Sequence, residues 1–153
     1  MIENSLLKHK LVEACHEYID RRIATATTAM NDAQQSANEE GKSSAGDKYE
    51  TGRAMMQIER DQAANQLEEA LKLKGVIDQL NPDVQHESVS LGSIVITTQF
   101  NVFIAIGAGK IKVDDYDFLV VGTHSPLGKE LLGRKAQEQF IFKRQPTTIV
   151  KIF

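Results

Sequence analysis

From about Asn4 to Ala37 the apolar positions step by three and four: Val12, Cys15, Ile19, Ile23, Ala26, Met30, Ala33 and Ala37 form one stripe uninterrupted by Pro or Gly. That spacing is the helical period and predicts one long helix. After a Gly/Ser-rich break, Met56, Ala63, Leu67, Ala70 and Ile77 repeat with heptad spacing, although Arg60 and Lys74 interrupt the stripe, and they predict a second helix. Two helices of similar length joined by a short bend fold back most simply as an antiparallel pair, and ~35 residues at roughly 1.5 Å each give an arm on the order of 50 Å. Alanines replace larger residues toward the bend, so the helices can approach closely there and the tip should be thin. Such a stripe by itself means helix packing and carries no function.

Beyond "LNPD" (80–83), a helix stop, the pattern changes to short β-rich runs: SIVITT (93–98), NVFIAIG (101–107), DFLVVG (117–122), QFIFKR (139–144) and TTIVKIF (147–153). The first two read as a hairpin. Between the third and fourth lies "HSPLGKELLGRK". Ser125 suits an N-cap, Pro126 the first helical position and Gly133 the C-terminal stop, which predicts one short helix. The fold class is therefore α+β. An antiparallel coiled-coil hairpin occupies 1–80 with its tip near 38–50, and a small antiparallel sheet with one helix occupies 81–153.

Composition sharpens this division. Through Gly75 the 153-residue chain carries ten Lys/Arg and thirteen Asp/Glu; from Val76 onward eight face eight, and all six phenylalanines lie in this second part. The first part is lean and polar, the second forms a core. A net charge of −3 argues against wholesale nucleic-acid coating. The single cysteine, Cys15, excludes an internal disulfide, and the N-terminus lacks the apolar block of a signal peptide, which points to a reducing cytoplasm. No apolar run approaches the roughly 20 residues needed to span a bilayer, so no membrane partner is expected.

The stretch "SSAGDKYET" (43–51) sets two carboxylates three residues apart at the bend. Residues i and i+3 share a helix face, so Asp47 and Glu50 can point the same way beyond the end of the arm. Mg²⁺ typically takes only one or two carboxylates together with phosphates and waters, so this pair is an incomplete metal site that needs ligands from elsewhere. The alternative is a capping box, in which Asp47 caps free backbone N–H groups and Glu50 folds back, with the helix dipole favouring both. Taken alone, capping is the commoner use of D-x-x-E, although Ser43 or Ser44 could cap instead and free Asp47. Lys48 and Arg53 beside the acids would be able to touch RNA phosphate, but a solvated charged face is the simpler account.

Other candidates are weaker. His9 and His16 are seven apart and lack the HxxxH spacing of a shared zinc site, which makes them surface residues. Cys15 lies in the apolar stripe as a packing thiol. "GAGK" (107–110) lacks the spacing and terminal Ser/Thr of a P-loop, and a hairpin turn explains it better.

"SPLGKELLGRK", set between strands after a long helical hairpin, resembles the C-terminal signature of the bacterial Gre-type transcript-cleavage and transcription elongation factors, GreA and GreB. The resemblance covers nearly the whole chain. Gly46, Asp47 and Glu50 match the G-D-x-x-E portion of that family's acidic tip. Thr51, Gly52, Arg53 and Ala54 stand where the family has N-A-E-Y, and Ala136, Gln137 and Glu138 replace its Gly-Asp after the helix motif, the marks of a divergent member. The resemblance implies an FKBP-like C-terminal domain that docks on RNA polymerase at its secondary channel. Docking would use Ser125, Pro126, Leu127, Gly128 and Lys129, though these could equally be needed only to build the turn and helix. It also implies that Asp47 and Glu50 are the catalytic tip acids. They would position an Mg²⁺ shared with the polymerase, close to the RNA 3′ end and in reach of DNA or RNA, to stimulate hydrolysis of backtracked RNA. No cofactor would be held tightly by the chain alone. The chain would be a monomeric accessory factor rather than an enzyme. Two alternatives stay open: a secondary-channel regulator that does not stimulate cleavage, and a prolyl isomerase or chaperone suggested by the FKBP-like fold. Fold alone does not carry that activity, and the absence of Trp removes one common pocket floor.

Overall fold

The computed structural model describes the backbone of residues 4–40 and 46–153, and side chains at 6–39 and 51–153. Both expected helices are present, α1 at Asn4–Glu40 and α2 at Gly46–Asp78. The centre of the expected bend, 41–45, lies outside the described residues. The chain divides into two compact units: Tyr18–Lys74, and Met1–Glu17 together with Gly75–Phe153.

In the Tyr18–Lys74 unit the buried positions are mostly alanines. Ile19, Ala26, Ala33 and Ala37 of α1 are buried, as are Ala63 and Ala70 of α2. Steps of seven keep one stripe facing a partner helix, and an alanine there loses no side-chain entropy. Arg60 and Lys74 are half-buried rather than excluded, since long basic side chains can lay their stems along apolar surface and keep the charge in water. Arg22 reaches Glu69 across the two helices at 3.7 Å, an exposed pair of little energetic weight.

The other unit holds a six-stranded sheet in the order β3-β4-β2-β1-β6-β5. Its strands are β1 (Ile94–Thr97), β2 (Asn101–Ala105), β3 (Gly109–Val113), β4 (Tyr116–Gly122), β5 (Gln139–Phe142) and β6 (Gln145–Ile152), with α3 (Pro126–Leu131) between β4 and β5. The β1–β2 hairpin forms as expected. Two features differ from the sequence reading. First, the sheet is mixed, because β4 inserts between β2 and β3 and runs parallel to β2. With β3 antiparallel to β4, the chain leaves β2, passes to the edge and returns into the gap. Second, "GAGK" is not a hairpin turn. Residues 107 and 108 lead into β3, which takes Gly109 and Lys110 as its first two residues. The turn that closes a hairpin here is Asp114–Asp115, between β3 and β4.

Both faces of the sheet carry buried side chains. Val95, Val102, Ile104 and Ile149 pack with Leu127 and Leu131 of α3. Ile94, Phe103 and Phe118, on the alternate pleat positions, are 0% exposed, and each such side chain contributes about 1.5–3 kcal/mol by leaving water. The remaining buried apolar side chains of this unit include Leu7, Leu11 and Cys15 of α1 and Ile77 of α2, so the ends of the long helices share its core. Polar ties hold the same segment: Lys10 Nζ lies 2.8 Å from the Asp114 carboxylate, and His9 Nε2 lies 2.8 Å from that of Asp83.

Candidate functional site

Two sets of residues were singled out by the sequence, and they sit on different elements. α2 begins at Gly46, so Asp47 and Glu50 fall within its first turns. Their side chains, and that of Lys48, lie outside the described residues. Thr51 and Ala54, which follow the second acid in place of the family's residues, are exposed.

The "SPLGK" stretch builds the start of α3. Ser125 is the N-cap with extended backbone. Its Oγ accepts a hydrogen bond from Gly128 N–H at 3.0 Å and donates one to the Gly122 carbonyl at 2.8 Å. One hydroxyl thus satisfies an orphan helix donor and ties the helix to the end of β4. Pro126 occupies the first turn, where its missing N–H costs nothing. Gly128 is required by a close approach, since a Cβ there would collide with the Gly122 carbonyl. The helix ends as expected. Leu132 N–H donates to the Gly128 carbonyl, and Gly133 takes φ +82°, the left-handed conformation that glycine adopts without strain. Arg134 locks this helix to β5: Nε donates to Glu130 O at 2.6 Å, an Nη pairs with the Glu130 carboxylate at 2.8 Å, and the guanidinium lies over the Phe140 ring.

Of the five docking candidates, Leu127 and Gly128 are buried and Ser125 is half-buried with its hydroxyl engaged, whereas Pro126 and Lys129 are exposed. The motif is thus mainly a folding device, and its outward chemistry reduces to a proline ring and an ammonium group. The departure after the helix also has a local consequence. Gln137 sits at φ +75°, where glycine would be unstrained, and it forms a bulge in which Gln137 N–H and the Glu138 carbonyl both bond Ile149.

Cys15 packs in the stripe as expected, and His16 is half-buried rather than at the surface. His9 and His16 each face a different carboxylate, Asp83 and Asp78, and Cys15 is buried, its thiol pushed up to about 12 by desolvation. Among the described residues no group of His, Cys, Asp and Glu is arranged to hold a metal ion. No described helix is long and apolar enough to cross a membrane.

Sequence reasoning missed a buried lysine and a half-buried histidine that feels its charge. Lys8 is 1% exposed, donates to the Val84 carbonyl at 2.6 Å, and is pushed down to about 8 by desolvation. His86 Nδ1 is bonded to Ser90 Oγ at 2.8 Å, and burial followed by the nearby Lys8 charge holds its pKa below the usual histidine range. The signal was available: stepping back from Cys15 by four and then three lands on Lys8. A groove of ≈ 450 Å³ lies near the β1–β2 turn, with Phe100, Asn101, Lys110 and Asp117 in its wall, and it contains none of the docking candidates.

No family model matches the chain, and no curated protein matches it. Among solved structures, the chain is similar to one described as "Structure of the transcription factor Gfh1", at 16% identity and a TM-score of 0.34, over 97% of this chain and 92% of that one.

Proposed function

We propose that this chain is an accessory factor of transcription that binds RNA polymerase at its secondary channel. There it would stimulate cleavage of backtracked RNA with Asp47 and Glu50. The observation that carries this reading is internal to the chain. The G-D-x-x-E match coincides with the onset of α2, the second of two long helices, while the second match, "SPLGKELLGRK", coincides with a capped helix packed on a sheet. Two carboxylates on one helix turn do not by themselves make an enclosure, and catalysis generally wants an enclosed, preorganised site. A long hairpin makes sense of that arrangement if the enclosure belongs to the polymerase. Two carboxylates fit the oxygen-ligand chemistry of Mg²⁺ and are too few to hold it alone. When bound between chain and polymerase, that ion would supply an activated water. In this reading Pro126 and Lys129 are the docking groups that reach the partner, and Ser125, Leu127 and Gly128 act by shaping α3. The protein works in the cytoplasm as a monomer.

A second reading, a channel-binding regulator without cleavage stimulation, is favoured by one observation: Thr51, Gly52, Arg53 and Ala54 replace the residues that follow the acids in the Gre family. One experiment separates the two. A backtracked polymerase complex from the same source is incubated with Mg²⁺ and either the wild type or the Asp47→Ala/Glu50→Ala variant. Shortened RNA with the wild type alone supports the metal-positioning role. Equal binding of both proteins with no shortening by either leaves the regulator, and no polymerase binding removes both readings.

A further inference from the structure

The sheet has two edges, β3 and β5, and they are treated differently. Both belong to hairpins closed by two-residue turns, so strand positions alternate between those bonded to the inner partner and those whose N–H and C=O point outward. On β3 the outward positions fall at Lys110 and Lys112. Lysine on an edge is a common device against pairing with another chain. On β5, Phe142 and Phe140 face β6 in bonded register, and the ladder continues at Glu138 and Ile149. The outward positions are therefore Gln139 and Ile141. Arg134 donates to the Gln139 carbonyl at 3.4 Å. Among the described residues no side chain bonds the Ile141 N–H or C=O, and its 69% exposure is the highest among the large hydrophobic residues described.

The turn beside this edge adds a charge. Lys143 and Arg144 adopt φ +49° and +64°, the left-handed pair that Asn-Gly fills readily and that strains a side chain such as Lys or Arg. The β3–β4 turn has the same geometry but uses Asp114 and Asp115, a residue type that tolerates it. Two exposed cations are thus kept, against local preference, at the end of an edge strand that bears an exposed isoleucine and no blocking lysine.

We propose that the free edge of β5 is a docking site for an extended acidic peptide segment. Such a segment would add a strand through the N–H and C=O of Ile141, set a branched apolar side chain against Ile141, and place its acidic end beside Lys143 and Arg144. This is strand addition, in which main-chain hydrogen bonds provide affinity and flanking side chains provide selection. It does not depend on the tip acids or on polymerase binding.

The test is selection of a random phage-displayed peptide library against the full chain, followed by binding of the enriched peptides to two variants. Ile141→Pro removes the outward N–H at a position that makes no bond to β6. Lys143→Asn/Arg144→Gly supplies an unstrained turn without the charge. The expected peptides alternate apolar residues and end in Asp or Glu. They slow exchange of the Ile141 amide and lose binding to Ile141→Pro, and the turn variant binds them at least about tenfold more weakly while melting at a higher temperature. That opposition between stability and binding would not arise from a merely structural turn. Three results would overturn the proposal: no enrichment above the Ile141→Pro background, enriched peptides that bind the turn variant undiminished, or a wild-type dimer in sedimentation that Ile141→Pro abolishes, which would assign the edge to a second copy of the chain.

Discussion

Replacing Lys8 by methionine should stabilise this protein at neutral pH. Lys8 is 1% exposed and its ammonium group has been moved from water to a site where the described partner is the Val84 carbonyl, so its pKa falls from 10.5 to about 8. At 1.36 kcal/mol per pKa unit, carrying the charge into the fold costs about 3 kcal/mol. Methionine keeps an unbranched chain of similar length and omits the charge. The lost hydrogen bond offsets about 1–2 kcal/mol, leaving a net gain of about 1–2 kcal/mol at pH 7. The pH dependence is the sharper readout. Between about 8 and 10.5 the unfolded chain holds a proton on Lys8 that the folded chain has released, so wild-type stability rises with pH across that window. Below it the penalty is fully present; above it both states are neutral and the advantage of Lys8→Met vanishes. Urea unfolding followed at the sheet amides Val102 and Ile104, for wild type and variant at neutral and alkaline pH, measures the difference with other titrating groups cancelled. In parallel, an NMR titration should show the His86 pKa rising in the variant, because the Lys8 charge contributes to holding it down. A variant less stable than wild type at pH 7, or a stability difference that does not change with pH, would refute the reasoning.

Three further outcomes follow from the geometry. Gly128→Ala forces a methyl group against the Gly122 carbonyl and should destabilise by about 1–3 kcal/mol, and Ser125→Ala loses both the cap and the bond to the Gly122 carbonyl and should cost about 1–2 kcal/mol; thermal melts of the two variants measure both losses. Gln137→Gly relieves the left-handed backbone at φ +75° and should gain about 1 kcal/mol, measured by urea unfolding. Cys15, buried and with its thiol raised to about 12, should resist iodoacetamide in the native protein and react once urea unfolds it; mass spectrometry that finds rapid native labelling would contradict its burial.

Local pattern was enough to reveal much of this molecule. The helical stepping from Val12 to Ala37 and the repeat at Ala63, Ala70 and Ile77 are properties of single segments, and a segment that must bury one stripe declares its period whatever it packs on. Ser125, Pro126 and Gly133 likewise mark α3, because capping is settled within a few residues. Five of the six strands showed themselves as apolar runs. The sixth, β3, did not, since an edge strand reading Gly-Lys-Ile-Lys-Val buries little and its glycine and lysines resemble a turn. The insertion of β4 beside β2 was equally hidden, because strand order is decided by pairing between residues far apart in sequence and leaves no trace in either strand's own period. The tertiary structure also decided which way side chains of known identity face. It turned Leu127 and Gly128 of the SPLGK stretch inward, leaving Pro126 and Lys129 outside, and it buried Lys8 alongside Leu7, Leu11 and Cys15 of α1. Sequence could name Asp47, Glu50 and the SPLGK stretch as candidates. Burial, which depends on what else arrives in space, determined which of the motif's residues can meet a partner.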